Sequence, residues 1–415
     1  MTGRGFVISA PSSGAGKTTV TLGLLRALRD VTRVQPAKSG PDYIDPDFHE
    51  AACGVASVNL DAWAMSGARL KALALTPDLL VVEGAMGLFD GAPPAGDGST
   101  AHVAKALALP VVLVLNARAM SHSVAALVRG FCDHDPDVHI SGVILNNVAS
   151  GRHEAMLRTA ISALGVPVLG ALPARQDISL PSRHLGLVQA REHRDLDAKL
   201  DTMGDLVRAN VDLDALMNLA QPLPAPANTQ SIAGKRIAVA QDAAFSFTYT
   251  HQLADWRQFG TVLPFSPLAN EAVPEADEVF LPGGYPELHG AALANADRFH
   301  DSLREMAASV PIRGECGGYM ALGEAIVDAD GVNHKMAGLL PLVTSFADRK
   351  RHLGYRTLKS RFNSKTWRGH EFHYATTVRA DGTPALDAWD AEGNDLGPMG
   401  LIEGNVWGSF AHLID

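Results

Sequence analysis

A stretch near the amino terminus, GFVISAPSSGAGKTTVTLGLL over residues 5–25, constrains the fold of this chain more than any other. Phe6, Val7 and Ile8 form a short apolar run. Ser12, Ser13, Gly14 and Gly16 then provide a loop whose backbone N–H groups can converge on phosphate oxygens with little side chain in the way. Lys17 is placed to reach terminal phosphates and Thr18 to hold Mg2+. From Thr18 onward Val20, Leu24, Leu25 and Leu28 recur at helical spacing on one apolar face. Strand, GKT and helix in that order predict a phosphate-binding loop, with Ser13, Gly14, Gly16, Lys17, Thr18 and Thr19 as nucleotide-binding candidates. The small residue that usually opens such a loop falls at Ala10, because Pro11 stands six before Lys17, so the loop is one residue longer than the common form.

The apolar runs that follow alternate with helical segments, the signature of a doubly wound parallel sheet. Strands are predicted at residues 33–38, 79–82, 111–115, 140–145 and 167–172, and helices at 101–107 and 121–129. Ligands in such a sheet bind at the carboxyl ends of the strands. Glu83 follows the run LLVV and leads through AMGLFDG to Asp90; Asn146 ends another strand, where its amide could read an adenine edge or cap a turn. Between them SGPDYIDPDFHEAACG carries Asp42, Tyr43, Asp45, Asp47 and His49, more functional side chain than a connecting loop needs. LPSRHLGL then sets Arg183 and His184 beside a turn, ahead of a helical stretch expected over 195–219.

With 415 residues the chain is long enough for two or three domains, each with its own core. The three prolines of QPLPAPANTQSIAG mark a linker over 221–234, so domains are expected at 1–220 and 235–415. The second restarts with the strand KRIAVA, followed by a helix at 248–259 and strands at 278–281 and 310–313. The last runs into GECGGYMALGEA. There Cys316 sits between Gly314, Gly317 and Gly318 on a strand-to-helix turn, a geometry that lifts a nucleophile clear of the backbone. Helix-terminal N–H groups favour its thiolate and, with backbone near Gly284, suit an oxyanion hole. A thiol nucleophile needs a base; His370, His373 and His412 are the candidates, and their positions alone do not rank them.

A net charge of −10, from 35 basic and 45 acidic residues, argues against a nucleic-acid partner. Three lone cysteines without metal-ligand spacing indicate a reducing compartment. MTGRG leads straight into a strand, and no apolar run reaches membrane-spanning length, so the expectation is a cytoplasmic protein with no membrane association.

Taken together, SAPSSGAGKTTVT, SGPDYIDPDFH, VEGAMGLFDG, PSRHLGL, LPGGYPE, GECGGYMALGE, LGYR and GHEFHY resemble, in this order and along essentially the whole chain, the cobyrinate/hydrogenobyrinate a,c-diamide synthase family of cobalamin biosynthesis. The lengthened phosphate loop is similar to that of dethiobiotin-synthetase-like ATPases. The resemblance implies an α/β chain: a P-loop, dethiobiotin-synthetase-like doubly wound domain followed by a class I glutamine amidotransferase-like α/β domain. It implies ATP and Mg2+ at Lys17 and Thr18, with Glu83 also toward the metal, and Asp42, Tyr43, Glu83 and Asp90 lining the site where acetate carboxylates of a corrinoid tetrapyrrole are phosphorylated. Cys316 is expected to attack the amide of L-glutamine with His412 as base, the ammonia passing internally to the acyl phosphate. Related class I amidotransferases carry a Glu two residues after that His; here Ile414 stands there, and the third member of the triad is unassigned. RKRHLGYR, residues 349–356, offers bases to a polycarboxylate substrate. Cobalt-free corrin, cobalt corrin and nickel sirohydrochlorin all remain open as substrates. So does a different class, a P-loop regulatory ATPase with a non-catalytic amidotransferase-like domain, which would hydrolyse no glutamine. Oligomeric state, homodimer included, is not encoded in these patterns.

Overall fold

The computed structural model describes residues 3–175, 178, 182–183, 186–187, 189–225 and 234–415. His184 and residues 226–233 of the expected linker lie outside them. The chain separates into two compact units, Met1–Thr229 and Gln230–Asp415.

In the first unit β1 (Arg4–Ser9), β2 (Val34–Ser39), β3 (Val58–Leu60), β4 (Leu79–Glu83), β5 (Val111–Asn116), β6 (Ile140–Val148) and β7 (Val168–Pro173) form a parallel sheet in the order β3-β2-β4-β1-β5-β6-β7. The two-residue strand Gln221–Pro222 adds antiparallel to β1. Strands buried on both faces must be apolar throughout, which is why β4 and β5 read as unbroken hydrophobic runs rather than alternating ones. The order reverses at β1, so β1 and β4 open a crevice at their carboxyl ends, where α1 (Lys17–Leu28) begins. Val20, Leu24, Leu25 and Leu28 of α1 are fully buried, in one core with Leu200, Met203 and Val207.

Two local expectations need correction. Residues 195–219 are not one helical stretch: helices Leu196–Asn210 and Leu213–Leu219 are separated because Asp212 leaves helical geometry and accepts the backbone N–H of Ala215 at 2.9 Å, capping a new helix. The helix expected at 121–129 starts later and runs further, Val124–His134, since the serines ahead of it favour turns over helix interior.

The second unit is built on a ten-stranded mixed sheet. Thr261–Phe265, Arg236–Ala240, Glu278–Leu281, Ile312–Glu315 and Val406–Ser409 pair in parallel. Asp395–Glu403, Thr383–Trp389, His352–Ser360, Thr366–His373 and Ala411–Leu413 continue it antiparallel. The chain end thus returns as a strand beside Thr366–His373, with His412 opposite His370. No helix among the described residues is long and apolar enough to cross a membrane.

Candidate active sites

The phosphate loop bends as the glycines require: Gly14 and Gly16 take φ of 79° and 92°, a region open to glycine at little cost. Lys17 folds back over the loop to the backbone oxygens of Met86 and, at 3.5 Å, Ser12. Burial and the neighbouring Lys38 charge lower its ammonium below the ordinary lysine range. Ser13 is exposed on the loop and Thr19 half-buried on the first turn of α1. Asn146, at the end of β6, donates from its amide to Ala15 O at 3.0 Å and so is strapped to the far side of the loop.

Glu83, fully buried at the end of β4, is the hub of this region. Thr18 Oγ1 donates to its Oε1 at 2.7 Å and Lys38 Nζ to the same oxygen at 3.1 Å, while His49 Nε2 meets Oε2 at 2.7 Å. Lys38 also pairs with Asp45 at 2.5 Å, and His49 Nδ1 contacts Ser57 Oγ at 3.0 Å. Burial alone would raise the Glu83 carboxyl; Lys38 and His49 outweigh it and hold Glu83 ionised. Burial likewise opposes the Lys38 charge, but Asp45 and Glu83 raise it above the usual lysine range. Asp45 goes the other way: burial and the Asp42 charge push it up to about 7. One cation thus holds two carboxylates in a space with almost no water.

Of the other acids, Asp42 accepts the backbone N–H groups of Ile44 and Asp45 at 2.7 and 3.3 Å, fixing the entry into the helix α2 (Ile44–Cys53). Tyr43 is half-buried beside it, as is Asp47. Asp90 is exposed and accepts Gly87 N–H at 2.9 Å, shaping the turn beyond Glu83. Sequence reasoning passed over Lys38, which ends the strand predicted at 33–38. The available signal was a buried-strand position bearing a lysine beside an acid-rich segment, because a buried lysine must be paired.

In the second unit Cys316 takes φ 47° and ψ −104°, the strained turn expected between strand and helix. The tight fit explains its glycines: a Cβ on Gly318 would lie 1.9 Å from Leu281 O. One point brings Cys316 and His412 together. A Cβ on Gly283 would lie 3.1 Å from His412 Nε2 and 3.3 Å from Cys316 Cβ, so the imidazole and the thiol-bearing carbon flank the same glycine. His412 is 2 % and Cys316 4 % exposed. Burial, reinforced by the Glu287 charge, raises the Cys316 thiol well above its usual range. Burial, with His370 and His373, pushes His412 down to about 3. The pair therefore rests neutral, and a charged form needs a further partner.

The other histidines are placed differently. His373 meets Ala375 O through Nδ1 at 3.1 Å and Glu371 Oε1 through Nε2 at 2.9 Å, and stacks on Phe410 with centroids 3.9 Å apart. His370 lies edge-on to Tyr355 at 5.4 Å. Glu371 also accepts from Arg356 Nε at 2.8 Å. Burial alone would raise Glu371, but His373 and Arg356 pull it down to about 2. His352, Glu371 and His373 stand close enough together to suggest a metal. However, the two imidazoles stack within 5° of parallel at 4.6 Å, so their in-plane lone pairs do not converge, and Arg356 already neutralises the carboxylate. The cluster is an ion-paired brace between strands His352–Ser360 and Thr366–His373.

Comparison with known proteins matches residues 6–188 to the CobQ/CobB/MinD/ParA nucleotide binding domain family and residues 236–415 to the CobB/CobQ-like glutamine amidotransferase domain family. The chain is 53% identical to a hydrogenobyrinate a,c-diamide synthase of Rhodobacter capsulatus over 99% of this chain and 98% of that one. It is 52% identical to the protein of that name from Brucella suis, over 99% and 98%. With the Rhizobium meliloti protein it shares 51% over 99% of each.

Proposed function

This chain belongs to the hydrogenobyrinate a,c-diamide synthase family, and we propose that it converts the a and c acetate carboxylates of hydrogenobyrinate to amides with ATP and L-glutamine. The observation that carries this reading is that one chain bears both a phosphate-loop centre around Glu83 and a cysteine–histidine centre at Gly283. A carboxylate is a poor acyl donor because oxide would have to leave, and phosphorylation supplies the leaving group. Ammonia is mostly protonated near neutral pH, so releasing it inside the protein and passing it on unhydrated keeps it nucleophilic.

We assign amide synthesis to residues 1–220 and glutamine hydrolysis to 235–415, joined through 221–234, of which Gln221 and Pro222 still pair with β1. Ser13, Gly14, Gly16, Lys17, Thr18 and Thr19 cradle the ATP phosphates, and Asn146 borders the nucleotide by holding the loop. The oxygens of Thr18 and Glu83 fit Mg2+: the two residues would hold the ion together, Glu83 accepting a hydrogen bond from the Thr18 hydroxyl. Bound there, Mg2+ would neutralise charge on the transferring phosphate. Asp42, Tyr43 and Asp90 line the acetate-binding side of the crevice, where Asp42 and Asp90 act by shaping its turns. Cys316 attacks the glutamine amide and His412 carries the proton. The protein works in the cytoplasm, on a small-molecule substrate rather than on nucleic acid or membrane. Association as a homodimer would leave both centres within one chain.

The variant Lys17→Ala tests the division of labour. It should form no diamide from hydrogenobyrinate, ATP and Mg2+ while still converting glutamine to glutamate. Glutaminase activity at background in a folded Lys17→Ala protein would contradict independent centres.

A further inference from the structure

We propose that Glu315 is the positioning residue that orients His412 and stabilises its imidazolium during glutamine hydrolysis, in place of the acid that Ile414 cannot be. This rests on the reading of Cys316 and His412 as the glutaminase pair. Glu315 is the last residue of strand Ile312–Glu315, directly before Cys316, and pairs in register with Ser409. Three residues past Ser409 comes His412, so the same strand pairing that places the nucleophile brings this carboxylate to the base. Glu315 Oε2 lies 3.9 Å from His412 Nδ1, with side chains 3% and 2% exposed. The Leu413 backbone N–H holds the carboxylate on this side. Its Oε1 is buried without a hydrogen-bond partner, with Arg313 Nη1 3.4 Å away. With Arg313 beside one oxygen and the His412 imidazole facing the other, this buried acid can answer a charge that appears on that ring in turnover.

The remaining charged neighbours do not serve. Glu371, on Thr366–His373, has both oxygens engaged by Arg356 and His373. His370 and His373, on the same strand, repel an imidazolium while Glu371 attracts it; Glu287 bears on Cys316, as Glu371 and Glu315 also do. In the reaction, the Cys316 proton passes to His412 Nε2 as sulfur bonds to the amide carbon. The imidazolium returns that proton to the departing nitrogen, so the C–N bond breaks and ammonia leaves a thioester. Water, deprotonated by His412, then releases glutamate and restores the thiol. Glu315 exchanges no proton; it faces Nδ1–H while the ring is charged. It must itself be ionised to do so, and burial raises its carboxyl to about 7. Glutaminase activity should therefore rise with pH through neutrality.

The test measures glutamine hydrolysis from mildly acidic to mildly alkaline pH for wild type, Glu315→Gln, Glu315→Asp and Glu371→Gln, alongside diamide synthesis from ammonium salt. Glu315→Gln is expected to lower kcat by about 10- to 1000-fold with KM for glutamine held within about twofold, and to lose the neutral ionisation from the kcat/KM profile. Ammonia-dependent synthesis should stay at the wild-type rate, and Glu315→Asp should recover part of kcat. An unchanged kcat and pH profile in Glu315→Gln overturns the proposal, as does a Glu371→Gln variant that alone reproduces the loss. Should Glu315→Gln not fold, the wild-type and Glu315→Asp profiles decide: a profile flat through neutrality in both overturns it. Wild type without glutaminase activity would instead sink the reading of the Cys316 centre itself.

Discussion

Glu83 shows how much chemistry one residue can concentrate. A carboxylate with no exposed surface is sustained by Lys38, His49 and Thr18 at hydrogen-bond distance, and removing Lys38 takes away the cation that Glu83 shares with the buried Asp45. Lys38→Met should therefore cost about 3–5 kcal/mol of stability in the first unit. Denaturant unfolding of that variant checks this, and an unchanged midpoint would mean that water reaches the hub. Glu83 was legible in the sequence because it ends an apolar run beside a phosphate loop. Its partners were not. Lys38 and His49 are separated from it by tens of positions, and only the pairing of β2 with β4, in the register Lys38 with Glu83, brings lysine and acid together. Asp42 and Asp90 show the converse: both were readable as functional acids, yet each has a local backbone task that no spacing rule separates from chemistry.

At the scale of elements, periodicity located the parallel strands and α1, since strands buried on both faces and a one-faced helix leave unmistakable patterns. Boundaries were harder. Asp212 divides a stretch whose apolar spacing runs on, because a side-chain cap competes locally with the helix. The antiparallel half of the second sheet was scarcely legible: its register arises from long-range pairing, and so does the placement of His412 rather than His373 beside Cys316. The ion-paired brace of Arg356, Glu371 and His373 locks two of those strands, and it carries a pH signature. Glu371 is held near 2 against an ordinary 4.5, so on acidification the unfolded chain takes up the proton first. Its contribution, roughly 3 kcal/mol, is complete above about pH 4.5 and is lost as pH falls through about 2. Thermal melting of wild type and Glu371→Gln should therefore converge toward acid pH and separate above it. A constant difference between the two curves would place the brace outside the stability of the fold.

At the scale of the whole molecule, two chemistries share one chain and should fail separately. The serine hydroxyl of Cys316→Ser is far less ionised than a thiol at neutral pH, and its imidazole neighbour rests neutral, so glutamine hydrolysis should stop while acyl phosphate formation at the other centre continues. The order of motifs along the chain makes this pairing of functions readable in the sequence, because each motif ends a strand at the edge where α/β sheets bind ligands. The most direct test follows the amide nitrogen: hydrogenobyrinate, ATP and Mg2+ are incubated with glutamine labelled at its amide nitrogen, and the corrinoid product is analysed by mass spectrometry. The account predicts a diamide carrying two labelled nitrogens from wild type, and from Cys316→Ser no product with glutamine but full diamide with ammonium salt. Glutamine-dependent diamide from Cys316→Ser, or an unlabelled product from wild type, would contradict it.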